Sequence, residues 1–272
     1  MTALPIANAT LNGSVIYGSP DSGQMSTAEA QATSSGCSSI RYYFSVNNQY
    51  IYLQNYCGSN TNYNTVYSVA NYMTTYPYDW ATVFYKGDSH FLQPYQSPNT
   101  YGHNIYWLYS DVYNGGLSDH IWDEVLGQYT STGVYHFAFL WTCSMANEIG
   151  GINGIDIYGM APAWLHTTNL QLDSYNNPDY TGKCYIGFQA YSKPWTDYTG
   201  YYSYTYQTFG TMFYYYATGA SGNYYNVHNA LNQASLNYLG STFSNSSIYT
   251  GYDYGGNTCK LRVFGDSSMV LP

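Results

Sequence analysis

The chain has 272 residues, 45% of them apolar and 8% charged, and 15 Asp plus Glu against six Lys plus Arg give a formal net charge of −9. That length suits one large α/β domain or two small ones, and the apolar share supplies a sizeable core. Six cations on an acidic chain exclude the positive footprint that nucleic-acid binding needs, and no run of about 18 apolar residues is present to cross a membrane as a helix.

The charged share is far below the usual level of about a quarter, whereas tyrosine reaches 38 residues. Asn, Ser, Thr and Gly supply most of the remaining polarity. A surface of this kind is uncharged but hydrogen-bonding, which points to an extracellular or cell-surface protein. The tyrosines serve either as general strand and surface residues or as stacking platforms for carbohydrate. The opening "MTALPIANATLNGS" lacks the basic and apolar regions of a signal peptide, as a mature form with its leader removed would. Asn8, Asn12 and Asn245 head glycosylation sequons, near the chance frequency for this composition.

In chain order, residues 1–36 read as an N-terminal extension and residues 37–272 as a single α/β domain. "SSIRYYFSVNNQYIYLQNY" reads as two alternating strands around the turn Val46-Asn47-Asn48-Gln49. "NTVYSVANYMTTYP" places Val66, Val69, Ala70 and Met73 on one helical face and ends at Tyr76-Pro77. Ala81 to Tyr85 is a short apolar strand that breaks at Lys86-Gly87, and "HNIYWLYSDV" is another. "LSDHIWDEVLGQY" predicts a helix capped by Ser118, with Ile121, Trp122, Val125 and Leu126 inward. "YHFAFLWTC" is a strand, "GMAPAWLH" a short helical turn and "CYIGFQAY" a further strand. "TDYTGYYSYTYQ" is a Tyr-rich loop. "TFGTMFYYYATG" and "NVHNALNQASLNYLG" are helices, the second with a stripe of Val227, Ala230, Leu231, Ala234 and Tyr238. "LRVFG" closes the chain as a strand. Alternating strands and helices predict βαβ units and a mainly parallel central sheet flanked by helices.

The five cysteines are Cys37, Cys57, Cys143, Cys184 and Cys259. Hairpin ends lie close in space, which predicts a Cys37–Cys57 disulfide, and neighbouring strands predict a Cys184–Cys259 disulfide. Cys143 is then left over. It is either a small buried hydrophobe or a nucleophile.

In a parallel sheet, sites form at the carboxyl ends of strands. One strand here leads through Gly87-Asp88-Ser89 to His90, and another ends at Cys143. A thiol needs a base or a positive setting to attack at neutral pH, and an imidazole on the adjacent strand end supplies one. His103, His120 and His136 read as structural, and His136 opens the Cys143 strand, far from its carboxyl end. Asp88 either orients His90 or caps its loop. Asp111 could bind substrate or a cation, and Glu148 and Asp156 could shape a pocket or bind calcium. No zinc-ligand spacing and no phosphate loop is present, "GGINGIDIYG" lacking the Lys and the strand context. No metal or other cofactor is expected.

"VFYKGDSHF" and "FAFLWTCSMA", followed by "CYIGFQAY" and "VFGDSSMVL", resemble the strand-end motifs of the caspase-like cysteine peptidases, in the gingipain and clostripain branch. The resemblance covers roughly residues 40 to 272 and rests on order and spacing, since each motif is short. It implies a caspase-like three-layer sandwich in a diverged, secreted archaeal or bacterial member. It also implies that Cys143 attacks a peptide carbonyl, that His90 handles the proton, and that backbone N–H groups near Gly87 and Cys143 stabilise the oxyanion. The family's His lies between glycines, whereas His90 lies between Ser89 and Phe91, and Ser267 stands where the family has Pro. Three functions follow as expectations: a secreted cysteine endopeptidase acting on protein or peptide substrates, an inactive domain of the same fold serving as a surface module, or a carbohydrate-binding protein.

Overall fold

In a computed structural model the described residues are 11–17, 27–46, 52–57, 63–74, 80–87, 89–92, 105–109, 120–130, 135–143, 145–146, 159–167, 182–196, 205–251 and 259–271. The strands are β1 (Leu11–Tyr17), β2 (Tyr52–Cys57), β3 (Trp80–Lys86), β4 (Ser89–Leu92), β5 (Ile105–Tyr109), β6 (His120–Trp122), β7 (Tyr135–Trp141), β8 (Lys183–Ala190) and β9 (Cys259–Gly265). The helices are α1 (Thr27–Val46), α2 (Tyr63–Thr74), α3 (Asp123–Tyr129), α4 (Met160–Leu165), α5 (Thr205–Ala217), α6 (Val227–Tyr238) and α7 (Ser247–Thr250). The central sheet runs β2-β1-β3-β7-β8-β9. Its first five strands are parallel, and β9 closes the edge antiparallel to β8. Strands β4, β5 and β6 form a separate antiparallel sheet.

The period-two alternation of strand side chains sets the layers. Phe84 of β3, Phe137, Phe139 and Trp141 of β7, and Ile186 and Phe188 of β8 pack in one core with α1, α5 and α6. Ala81, Val83 and Tyr85 of β3, Ala138 and Leu140 of β7, and Tyr185 of β8 pack in a second core with α2, α3 and α4. The chain therefore forms the expected α/β sandwich, three layers around a mainly parallel sheet. The first core is dense in rings. Trp141 makes edge contacts with Phe188 and Trp195 at centroid distances of 5.2 and 5.6 Å, and Phe84 stacks on Trp195 at 5.9 Å.

Several sequence expectations hold. Val66, Val69 and Ala70 are buried on α2, and Val227, Ala230, Leu231 and Ala234 on α6. Tyr238, expected in that stripe, is instead exposed, because it closes the last turn of α6 at the rim of the layer. The helix expected to start at Ser118 begins at Asp123, since residues 120–122 pair with β5 as β6.

Of residues 1–36, read from sequence as an extension, 11–17 and 27–36 are described. Strand β1 lies between β2 and β3 in the central sheet, and α1 starts at Thr27. The hairpin over Cys37–Cys57 does not form, because residues 27–46 are one helix. Ala30, Thr33, Cys37, Ile40 and Phe44 are buried at steps of three and four residues, the helical spacing. With the hairpin gone, so is the reason for a Cys37–Cys57 bridge. The Cys184–Cys259 bridge fails on register. Cys184 pairs with Gly265, and Cys259 pairs with Ala190. The two cysteines thus occupy opposite ends of the ladder, six residue steps or about 20 Å apart at ~3.4 Å per step. No disulfide links the described cysteines.

Gly36, in the middle of α1, lets the helix lie directly on Trp195. A Cβ at this position would collide with the indole ring. Ala would raise helix propensity by about 1 kcal/mol, but the buried indole has nowhere to go, and overpacking costs about 1–3 kcal/mol. Gly36→Ala is expected to lower the midpoint of denaturant unfolding; a raised midpoint would show that α1 can lift away from Trp195.

Candidate active site

Strands β3 and β7 are parallel neighbours, with Lys86 in register with Trp141. Their carboxyl ends are therefore adjacent on one edge of the sheet. Gly87 follows Lys86 and is buried. Cys143 follows Trp141 by two residues and is half-buried. His90 lies on β4, four residues beyond Lys86, in register with Trp107 of β5; its side chain lies outside the described residues. The structure thus brings the ends of β3 and β7 side by side, with Cys143 just past the end of β7 and His90 on β4 of the separate sheet.

Cys143 is held from the β8 side. The backbone N–H of Ser192 donates to Sγ of Cys143 at 3.3 Å, and Oγ of Ser192 lies 3.5 Å from the same sulfur. Nε1 of Trp141 donates to the carbonyl of Lys193 at 2.7 Å. Just past Cys143, the N–H of Ala146 donates to the carbonyl of Phe188 at 2.9 Å, and the Tyr185 hydroxyl donates to the carbonyl of Met145 at 2.8 Å. Complete burial pushes the Tyr185 phenol well above its ordinary value, so it stays a proton donor. The turn that bears Cys143 is therefore pinned to the β8 side before and after the thiol.

A buried ion pair underlies this edge. Lys86 Nζ lies 3.0 Å from Oε1 of Glu29, in the first turn of α1, with side-chain exposures of 5% and 10%. The Glu29 carboxylate also accepts from the N–H of Trp195 at 2.9 Å, the N–H of Thr196 at 2.8 Å and the Thr196 hydroxyl at 2.9 Å. Burial pushes the Glu29 carboxyl up, but the Lys86 charge and the N–H donors outweigh it and hold the group below its ordinary value. Lys86 also lies 5.7 Å from the centre of the Trp195 ring.

Two of the remaining expected residues have described positions. His136 is buried near the start of β7, five residues before Trp141 and away from the edge that bears Cys143. His120 lies on β6. Asp88, His103, Asp111, Glu148 and Asp156 lie outside the described residues. Among the described residues no group of three or more His, Cys, Asp or Glu could hold a metal ion, and no helix is long and apolar enough to cross a membrane. Sequence reasoning missed Glu29, Ser192 and Thr196. A signal existed for the ion pair: Lys86 is one of only six cations in the chain and closes an apolar strand, a position that calls for an anion.

No protein-family model matches the chain, and no curated protein matches it. Among solved structures it is similar to the Arg-specific cysteine proteinase gingipain R, at a TM-score of 0.49 and 12% identity, over 97% of this chain and 49% of that one. It is also similar to a structure described as a protease, at a TM-score of 0.47 and 14% identity, over 96% of this chain and 48% of that one. The chain spans about half the length of both.

Proposed function

We propose that the chain is a caspase-like cysteine peptidase in which Cys143 and His90 form the catalytic dyad. The observation that carries this reading is the adjacency of the β3 and β7 carboxyl ends, one leading to His90 and the other bearing a half-buried thiol. In the reaction, His90 takes the Cys143 proton as Sγ bonds to the scissile carbonyl carbon. The backbone N–H groups near Gly87 and Cys143 hold the oxyanion. The C–N bond then breaks, the leaving amine takes the proton from His90, and water hydrolyses the thioester to release the acid and the thiol. The substrate is a protein or peptide. An extracellular or surface location rests on the low charge and the Tyr, Asn, Ser and Thr content.

The test is a peptide-based thiol-reactive electrophile together with peptide hydrolysis. Labelling is expected at Cys143, and His90→Ala is expected to depress hydrolysis on the order of 10⁴-fold or more, while His103→Ala and His120→Ala keep the wild-type rate. Hydrolysis unaffected by His90→Ala would remove His90 from the dyad. Wild-type protein that neither labels nor hydrolyses peptides would leave the fold as an inactive module.

A further inference from the structure

One buried carboxylate touches both halves of the proposed site. Its Oε1 holds Lys86, the last residue of β3 before the Gly87–His90 segment, and also the N–H of Trp195. Its Oε2 holds both donors of Thr196. Three residues before Trp195 the same short segment places the Ser192 N–H on Cys143 Sγ, and Lys193 of that segment accepts from Trp141 at the end of β7. A path of ion pair and hydrogen bonds therefore runs from the β3 end through Glu29 to the segment 192–196 and on to the thiol.

Resting on the peptidase reading, we propose that Glu29 is a positioning residue of the Cys143 site, fixing the strand end that leads to His90 and the loop that faces the sulfur against each other. Lys86, Trp195 and Thr196, which Glu29 holds, are not themselves reacting groups. Glu29 acts by holding the Ser192 N–H where a thiolate gains a hydrogen bond, and by setting the height of the β3 end relative to β7. Four donors converging on one carboxylate leave it a single orientation, and α1 supplies it from across the sheet face. Helix α1 thereby becomes part of the catalytic apparatus through Glu29 in its first turn.

The test compares wild type, Glu29→Gln and Thr196→Val in two readouts. Peptide hydrolysis gives kcat and KM. Iodoacetamide labelling across a pH series, quantified at Cys143 by peptide mass spectrometry, reads the thiolate directly and needs no substrate. In Glu29→Gln, kcat is expected to fall about 10²-fold with KM little changed, as a small misplacement of the reacting groups produces. The midpoint of Cys143 labelling is expected to move upward, as the Ser192 N–H loses its aim at the charged sulfur. Thr196→Val, which removes a single bond to Oε2, is expected to shift the midpoint in the same direction by less. An unchanged midpoint in folded Glu29→Gln overturns the proposal. If circular dichroism shows that Glu29→Gln does not fold, Thr196→Val decides by the same readout. Wild type that cleaves no peptide removes the peptidase reading and leaves the labelling comparison to judge Glu29 on its own.

Discussion

Replacing Cys143 with Ala is expected to remove peptide hydrolysis, a loss on the order of 10⁶-fold in kcat as for other nucleophile deletions. The fold should hardly notice. Cys143 lies half-buried in a turn after β7 rather than in either core, and the neighbouring turn is pinned by bonds from Trp141, Ala146 and Tyr185 that do not involve the thiol. The change in stability is expected to be about 1 kcal/mol or less. Hydrolysis assays and thermal melts on the same preparation separate the two effects. Full activity in the Ala variant would end the peptidase reading; lost folding with no activity in the wild type would return Cys143 to the role of a small packed hydrophobe.

Glu29→Leu is expected to give the largest loss of stability, about 3–5 kcal/mol at pH 7, because it leaves the Lys86 ammonium in the core without its counter-charge. In a chain of this size that lowers the melting temperature by roughly 10 °C. The pH dependence follows from the depressed Glu29 carboxyl. A group whose folded value lies below its unfolded one stabilises the protein fully above the unfolded value, near 4.5, and loses that contribution as pH falls through the folded value. The gap between wild type and Glu29→Leu should therefore be widest at neutral pH and narrow in acid below about pH 4.5. A gap that stays constant down to strong acid would mean that the variant's cost comes from packing rather than charge. The double variant Glu29→Leu with Lys86→Met should recover much of the loss, since an apolar pair can fill the space of a buried ion pair at little cost.

Where side chains are large and apolar, the sequence was legible. Phe137, Phe139, Trp141, Ile186 and Phe188 mark β7 and β8 by composition alone. Val66, Val69 and Ala70 mark α2, and Val227, Ala230, Leu231 and Ala234 mark α6. Those runs determined the class, a parallel sheet between helices, and so the edge on which Cys143 had to lie. Helix α1 escaped because the first half of its buried face is built from Ala30, Ala32, Thr33, Gly36 and Cys37, with the large Ile40 and Phe44 only toward its end. Small residues pack a helix closely against a sheet but give a weak periodic signal, and the tyrosines at positions 42 and 43 favour a strand by propensity.

Tertiary structure alone decided the rest. Local sequence cannot state the register that separates Cys184 from Cys259, because register is set by which residues face which across two strands nearly 70 residues apart. Nor can it state that β1 pairs between β2 and β3, or that Glu29 meets Lys86, Trp195 and Thr196. Those contacts join segments more than 50 and more than 160 positions apart. Sequence determined that a thiol ends an apolar strand in an acidic, charge-poor α/β chain. The fold decided what surrounds that thiol, because hydrogen bonds between distant segments exist only once the sheet has brought them to one edge.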